Sequence, residues 1–315
     1  MSVERPEVLV VAPVMPFLMD ALRGAATVHD RLHLNDPAAF AAAAPRIRAV
    51  VATGESKVPA ELIAQLPALE MITVFGVGYD GVDVAAARAR GIPVTHTPGV
   101  LNDDVADLAL GLLISAARRI PQADRFVRGG EWLKGPIPVA RKVAGSRLGV
   151  VGMGRIGQAI AQRALAFRMD VAYTARSPRA NLPYTYHPDA AALAAAVDFL
   201  VVITPGGAAT RGLIDAKVLQ ALGPQGYLVN VARGSVVDQP ALIAALQAGT
   251  IAGAALDVFA DEPHVPAELL AMDNVVLTPH IGSGTRQTRE AMAQLTFDNL
   301  RAHFAGEPLL TPVPA

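Results

Sequence analysis

The chain has 315 residues, enough for two domains at roughly 150 residues each, and its 52% hydrophobic content supplies ample material for packed cores. With 27 basic against 28 acidic residues the net charge is −1, which excludes a general attraction for nucleic acid or an anionic membrane. No cysteine is present, so disulfides, thiolate metal sites and thiol catalysis are excluded, no metal site is expected, and a cytoplasmic location fits.

Met1 to Asp20 hold only a strand-length apolar run, Val8 to Val14, without the three-part layout of a secretion signal. Short Val/Ile/Leu-rich runs without strict alternation follow at Val8–Val11, Ala49–Ala52, Met71–Val74, Arg147–Val151, Asp170–Tyr173, Phe199–Ile203, Tyr227–Val231 and Val275–Thr278. Strands covered on both faces read this way. Helical segments lie between them at Pro59–Gln65, Val82–Arg90, Gly157–Phe167, Lys217–Leu222 and Pro240–Ala248. The alternation predicts an α/β protein with two doubly wound parallel sheets. A longer helix is expected over Asp103–Arg119, opened by acids and closed by arginines as the helix dipole favours, with Pro121 as a stop. A last helix is expected over Thr285–Phe304, and with no strand after it, it can return to the first domain. The longest apolar stretch, Ala190 to Ile203, is interrupted by Asp198 and falls short of the ~18 residues of a membrane span.

Arg147–Gly157 reads RLGVVGMGRIG, a strand followed by G-x-G-x-x-G (Gly152, Gly154, Gly157) and then a helix. In that setting the first glycine permits the tight turn, the second admits a pyrophosphate, and the third lets the helix pack on the strand. An NAD site usually carries an acid about 20 residues on, to bind the ribose 2′-hydroxyl. Here the second strand ends in VAYTARSPR; Arg176, Ser177 and Arg179 take the place of that acid, and they suit a 2′-phosphate. NADPH is therefore expected in preference to NADH.

Three further residues follow strand ends, where ligands bind in doubly wound sheets: Arg233 in NVARGSVVD, Glu262 in AALDVFADEP, and His280 in LTPHIGSGT. Each alone is compatible with a surface ion pair or a loop residue. Together they make a ketone reductase: the histidine supplies a proton in the right range, the carboxylate raises its pKa and fixes its tautomer, and the arginine anchors and polarises the substrate.

The ordered blocks VFGVGYDGVD (74–83), GMGRIG (152–157), VNVARGSVVD (229–238), AALDVFADEP (254–263) and LTPHIGSGT (277–285) resemble those of the D-isomer-specific 2-hydroxyacid dehydrogenases over nearly the whole chain. Residues 100–120 and 262–270 resemble the hydroxypyruvate and glyoxylate reductase branch, which includes NADPH-preferring enzymes and relatives acting on aryl pyruvates. The resemblance implies a Rossmann cofactor domain (99–285), a flavodoxin-like substrate domain from both chain ends (1–98 with 286–315), and a homodimer built on the long helix. It assigns Arg233 and the amides of Val77 and Gly78 to the substrate, His280 to general acid catalysis, and Glu262 to its partner. Arg155 and Ile156, Thr204 and Pro205, Val231, Asp257 and Gly282 are assigned to the cofactor, Asp257 to the nicotinamide carboxamide. Trp132 falls where relatives send an aromatic side chain toward the partner's active site, and reads equally as a packing residue in the dimer arm. Asn102 and Ala106–Asp107 depart from the residues many relatives carry there, along the cofactor approach. An aryl-pyruvate reductase is the alternative, with a non-enzymatic dinucleotide-sensing scaffold behind it.

Overall fold

The computed structural model describes residues 5–314. The chain divides into two compact units, one of residues 1–101 with 285–315 and one of residues 102–284.

The first unit runs β1 (Glu7–Val10), α1 (Pro16–Ala25), β2 (Thr27–Asp30), α2 (Leu32–Asn35), α3 (Pro37–Ala43), β3 (Ile47–Thr53), α4 (Ala60–Ala64), β4 (Met71–Phe75), α5 (Val84–Ala89) and β5 (Val94–Thr95). Its five strands are parallel in the order β2-β1-β3-β4-β5, which is the flavodoxin-like order. All residues of β4 are buried, as its four apolar residues require, and buried Thr73 among them accepts from the Thr95 hydroxyl. The core on one face gathers Leu9, Val50, Ile63, Leu66, Ile72 and Val74.

The second unit holds α6 (Asn102–Arg118), α7 (Ile120–Arg128), β6 (Arg147–Val151), α8 (Arg155–Ala166), β7 (Asp170–Thr174), β8 (Thr185–Tyr186), α9 (Ala190–Ala196), β9 (Phe199–Val202), α10 (Ala216–Leu222), β10 (Tyr227–Asn230), α11 (Gln239–Gln247), β11 (Gly253–Leu256), α12 (Ala267–Ala271) and β12 (Val275–Leu277). Its seven parallel strands run β12-β11-β10-β9-β6-β7-β8, a dinucleotide-binding order whose reversal lies between β6 and β9. α6 buries Ala106, Ala109, Leu113 and Ala117, and α8 buries Gly157, Ile160, Ala161 and Ala164. Small residues at helical spacing let the two helices pack closely. Asp103 and Asp107, one turn apart on α6, both reach Arg163 of α8. The departure at Asp107 thus has an ion-pairing use, although an exposed pair of this kind contributes little stability.

The last helix, α13 (Arg286–Ala305), belongs to the first unit, opened by the Thr285 side chain and closed by left-handed Gly306. The tail beyond it pairs with β5 through His96 N–H to Thr311 O (3.1 Å) and Val313 N–H to Val94 O (2.8 Å). Pro121 does more than end α6. Arg119 turns left-handed, and Pro121 sits in the first turn of α7, where its missing N–H costs nothing. The apolar stretch 190–203 divides into α9 and β9. Among the described residues no helix is long and apolar enough to cross a membrane.

Candidate active site and cofactor cradle

The glycine motif lies between β6 and α8. Gly152 has φ +105°, and a Cβ there would stand 2.9 Å from Ile203 O and Thr204 N. At Gly157 a Cβ would stand 2.1 Å from the Gly152 carbonyl oxygen, so only glycine lets the helix approach the turn. Gly154 differs: a Cβ there meets nothing within 4 Å. The protein itself has no steric need for glycine at 154, which is what a surface left clear for an approaching ligand looks like. Helices α3, α5, α9, α10 and α11 are each capped by an aspartate side chain. The N-terminus of α8 has no side-chain cap, so its first-turn N–H groups and dipole suit an anion. These residues fit a dinucleotide pyrophosphate, with Arg155 exposed and Ile156 half-buried in the same first turn.

Arg176, Ser177 and Arg179 are exposed in the loop after β7. Tyr173, 1% exposed, anchors that loop: its hydroxyl accepts the Arg179 N–H at 2.6 Å, and its ring meets Tyr186 edge-on. Thr204 and Pro205 follow β9, and buried Val231 follows β10.

Arg233 follows β10 in a turn built by Asn230. That side chain, 1% exposed, accepts the Ala232 N–H (3.1 Å) and donates to the Arg233 carbonyl (3.0 Å). The Arg233 guanidinium donates to Ala232 O at 2.8 Å. At Gly234 a Cβ would overlap the Phe259 backbone at 1.9 Å, so this glycine brings the Arg233 turn against the loop that carries Glu262.

Glu262 accepts the Phe259 N–H on Oε1 (2.8 Å) and faces His280 Nδ1 with Oε2 (2.7 Å). Burial raises its carboxyl, but the hydrogen bonds from His280 and Phe259 and the nearby His280 and Arg233 charges outweigh burial and hold it below the usual range. An ionised carboxylate only accepts, so Nδ1 of His280 carries a proton.

His280 adopts φ +52°, a left-handed conformation that persists only where its surroundings enforce it. Asp257 enforces it. The His280 N–H donates to Asp257 O (2.8 Å), and the Asp257 carboxylate accepts from Thr278 Oγ1 (2.6 Å), Ile281 N (2.8 Å) and Gly282 N (2.8 Å). Burial pushes the Asp257 carboxyl up in spite of those donors. Asp257 is therefore a latch on the histidine loop. The sequence did not reveal this use, nor the turn held by Asn230. The available signal was an amide or acid side chain at the end of a buried strand, next to a turn.

In the first unit, Val77 and Gly78 are partly exposed in the loop after β4.

A seven-stranded nucleotide-binding sheet bearing a guanidinium and a His–Glu pair beyond its strand ends defines an oxidoreductase that works with a dinucleotide. Residues 110–282 match the family model for the D-isomer specific 2-hydroxyacid dehydrogenase NAD binding domain. The chain is 48% identical over 270 residues to a hydroxyphenylpyruvate reductase of Plectranthus scutellarioides, covering 86% of each. It is 48% identical over 267 residues to a glyoxylate/hydroxypyruvate reductase A of Arabidopsis thaliana, covering 85% of each. A solved NADPH-dependent glyoxylate/hydroxypyruvate reductase from Sinorhizobium meliloti, in complex with NADP and malonate, superposes with a TM-score of 0.93 at 46% identity, covering 98% of this chain and 97% of that one. The chain belongs to the D-isomer-specific 2-hydroxyacid dehydrogenases.

Proposed function

We propose that the protein reduces small 2-keto acids, glyoxylate and hydroxypyruvate, to the D-2-hydroxy acids with NADPH. The observation that carries this reading is the His280–Glu262 pair at 2.7 Å beside the Arg233 turn in the dinucleotide-binding unit. NADPH, when bound, supplies the hydride. Gly152, Gly154, Arg155, Ile156 and Gly157 hold its pyrophosphate at the α8 N-terminus. Arg176, Ser177 and Arg179 take the 2′-phosphate, and Thr204 and Pro205 line the adenosine. Val231, Asp257 and Gly282 attend the nicotinamide end, where Asp257 accepts from the carboxamide.

Arg233 binds the keto acid's carboxylate and polarises its carbonyl oxygen. The Val77 and Gly78 amides add donors to the carboxylate, which makes the 1–101/285–315 unit the substrate domain and residues 102–284 the cofactor domain. As the carbonyl oxygen gains charge, His280 Nε2 gives it a proton. Glu262 remains ionised, stabilises the imidazolium and keeps the proton on Nδ1. Water re-protonates His280 after product leaves.

The active form is proposed to be a cytoplasmic homodimer that involves neither nucleic acid nor membrane. Val127, Trp132, Leu133 and Val139, in the segment that follows α6, are exposed at 55%, 68%, 95% and 98%, apolar side chains that a second copy would cover.

Initial rates of NADPH and NADH oxidation with glyoxylate, hydroxypyruvate and hydroxyphenylpyruvate test the reading. Fast turnover of the two small acids with NADPH is expected. Turnover confined to the aryl acid would instead favour the activity named for the 48% identical Plectranthus protein. Silence with all three would leave a dinucleotide-binding protein without this reaction.

A further inference from the structure

The loop after β4 presents two consecutive N–H groups, of Val77 and Gly78, that reach no acceptor among the described residues. The carbonyls on the other side of the same two peptide planes are both held. Gly76 O accepts the Thr97 N–H at 2.8 Å, and Val77 O faces His96 Nδ1 at 2.9 Å. A trans peptide is flat, with its C=O and N–H pointing in opposite directions. Holding Gly76 O therefore aims the Val77 N–H, and holding Val77 O aims the Gly78 N–H. Both carbonyls are held by the same short segment, residues 96–97, so both N–H groups point away from it, as in the backbone nests that bind anions.

We propose that His96 is a positioning residue for substrate recognition: its Nδ1–H fixes the 77–78 peptide so that the Gly78 amide is presented to the substrate carboxylate. A carbonyl only accepts, so Nδ1 must carry a proton. Its donation also polarises the peptide and strengthens the Gly78 N–H as a donor. The ring is held by Tyr79 from the same loop, edge-on at 5.3 Å between centroids. Val77 and His96 sit beyond β4 and β5, adjacent parallel strands paired through Ile72 with Val94 and Thr73 with Thr95. The sheet register thus brings the imidazole to the loop. The proposal rests on the assignment of the Val77 and Gly78 amides to the carboxylate.

The test compares His96→Asn, His96→Asp and His96→Ala. The Asn amide nitrogen stands where Nδ1 does and still donates. Asp has the same shape but, ionised, repels the carbonyl. Losing a hydrogen bond of this kind corresponds to about a five- to tenfold weakening. His96→Asp and His96→Ala should raise KM for glyoxylate and hydroxypyruvate by about that factor, with kcat and the KM for NADPH within about twofold of wild type. His96→Asn should restore the keto-acid KM. If His96→Asp fails to fold, as judged by its thermal melt, the Ala and Asn pair decides. Equal KM values in all variants overturn the proposal, as does an equal loss of kcat and NADPH affinity in all. The underlying assignment is tested separately in the wild-type protein, where oxamate with NADP should slow amide hydrogen exchange at Val77 and Gly78. No slowing there removes the carboxylate assignment and the proposal together. Slowing, with variants indifferent, overturns the role of His96 alone.

Discussion

Replacing Glu262 with glutamine changes one oxygen to an NH2 and removes the negative charge that faces His280 at 2.7 Å. The wild-type carboxylate satisfies two donors, Phe259 N–H on one oxygen and His280 Nδ1–H on the other. A glutamine has one oxygen for the two. Either its NH2 confronts the Phe259 N–H, or it confronts Nδ1 and forces the proton to the far nitrogen. The imidazolium thereby exchanges a hydrogen bond to a carboxylate, with both partners charged, for at best one to a neutral amide oxygen, and forgoes the charge–charge attraction. The difference of about 1–2 kcal/mol corresponds to roughly a 5- to 30-fold loss in keto-acid reduction. Because the loss acts through retention of a proton on His280, it must depend on pH. Glu262 is held below the usual carboxylate range and stays ionised through neutrality, so the wild-type pair keeps its charge there. The wild-type to Glu262→Gln rate ratio should rise as pH rises and shrink on acidification, where both proteins hold a protonated histidine. Initial rates of NADPH oxidation with hydroxypyruvate, at constant ionic strength from about pH 5 to about pH 9, bracket the range in which histidine titrates. A ratio that stays flat with pH, or near one throughout, would refute the proton-holding role.

Arg176→Ala should raise KM for NADPH by about 10- to 100-fold while leaving NADH within about twofold, since only the 2′-phosphate loses a charge-assisted bond; equal losses with the two cofactors would sink the assignment. Gly157→Ala puts a Cβ 2.1 Å from the Gly152 carbonyl, so a fluorescence titration should find NADPH binding lost and a melt should find a lower Tm, whereas wild-type affinity would mean the turn yields. Asp198→Asn removes the charge and one of the two oxygens that between them accept from Arg141, at 3.0 Å, and from the Arg147 side chain and N–H, at 2.9 and 2.8 Å, and should cost about 1–3 kcal/mol in urea unfolding at neutral pH. Hydrogen bonding from Arg147 holds the Asp198 carboxyl below its usual range, so this stability is full above the ordinary carboxylate pKa and is lost as pH falls through the folded value. The gap between variant and wild type should therefore narrow in acid, and a pH-independent gap would count against the ion-pair account.

Strands such as β9 were legible because burial on both faces writes an unbroken apolar run, and β4 interrupts its run only at Thr73. β11 was not, since Gly253-Ala-Ala-Leu256 lacks the branched residues that mark strands. Its small residues are dictated by neighbours: a Cβ on Gly253 would stand 2.5 Å from Asn274 O and 3.1 Å from the Tyr227 ring. β2 and β8 sit at sheet edges, only partly buried, and carry no apolar run to read. α7 buries none of its residues, and the proline that opens it reads equally as the end of α6. At the site, the types and order of Arg233, Glu262 and His280 were visible because each follows a strand end. What the side chains accept was not. Asp257 carries three donors from the histidine loop, Asn230 folds the arginine turn, and Tyr173 pins the loop of Arg176, all through contacts that exist only once the strands are side by side.

The central claim is reduction of a small 2-keto acid to its D-hydroxy acid by NADPH. Chiral analysis of the product formed from hydroxypyruvate and NADPH tests it most directly. D-glycerate, formed one for one with NADPH oxidised and lost in His280→Ala, is the result expected. L-glycerate, a racemate, or undiminished product from His280→Ala would contradict it.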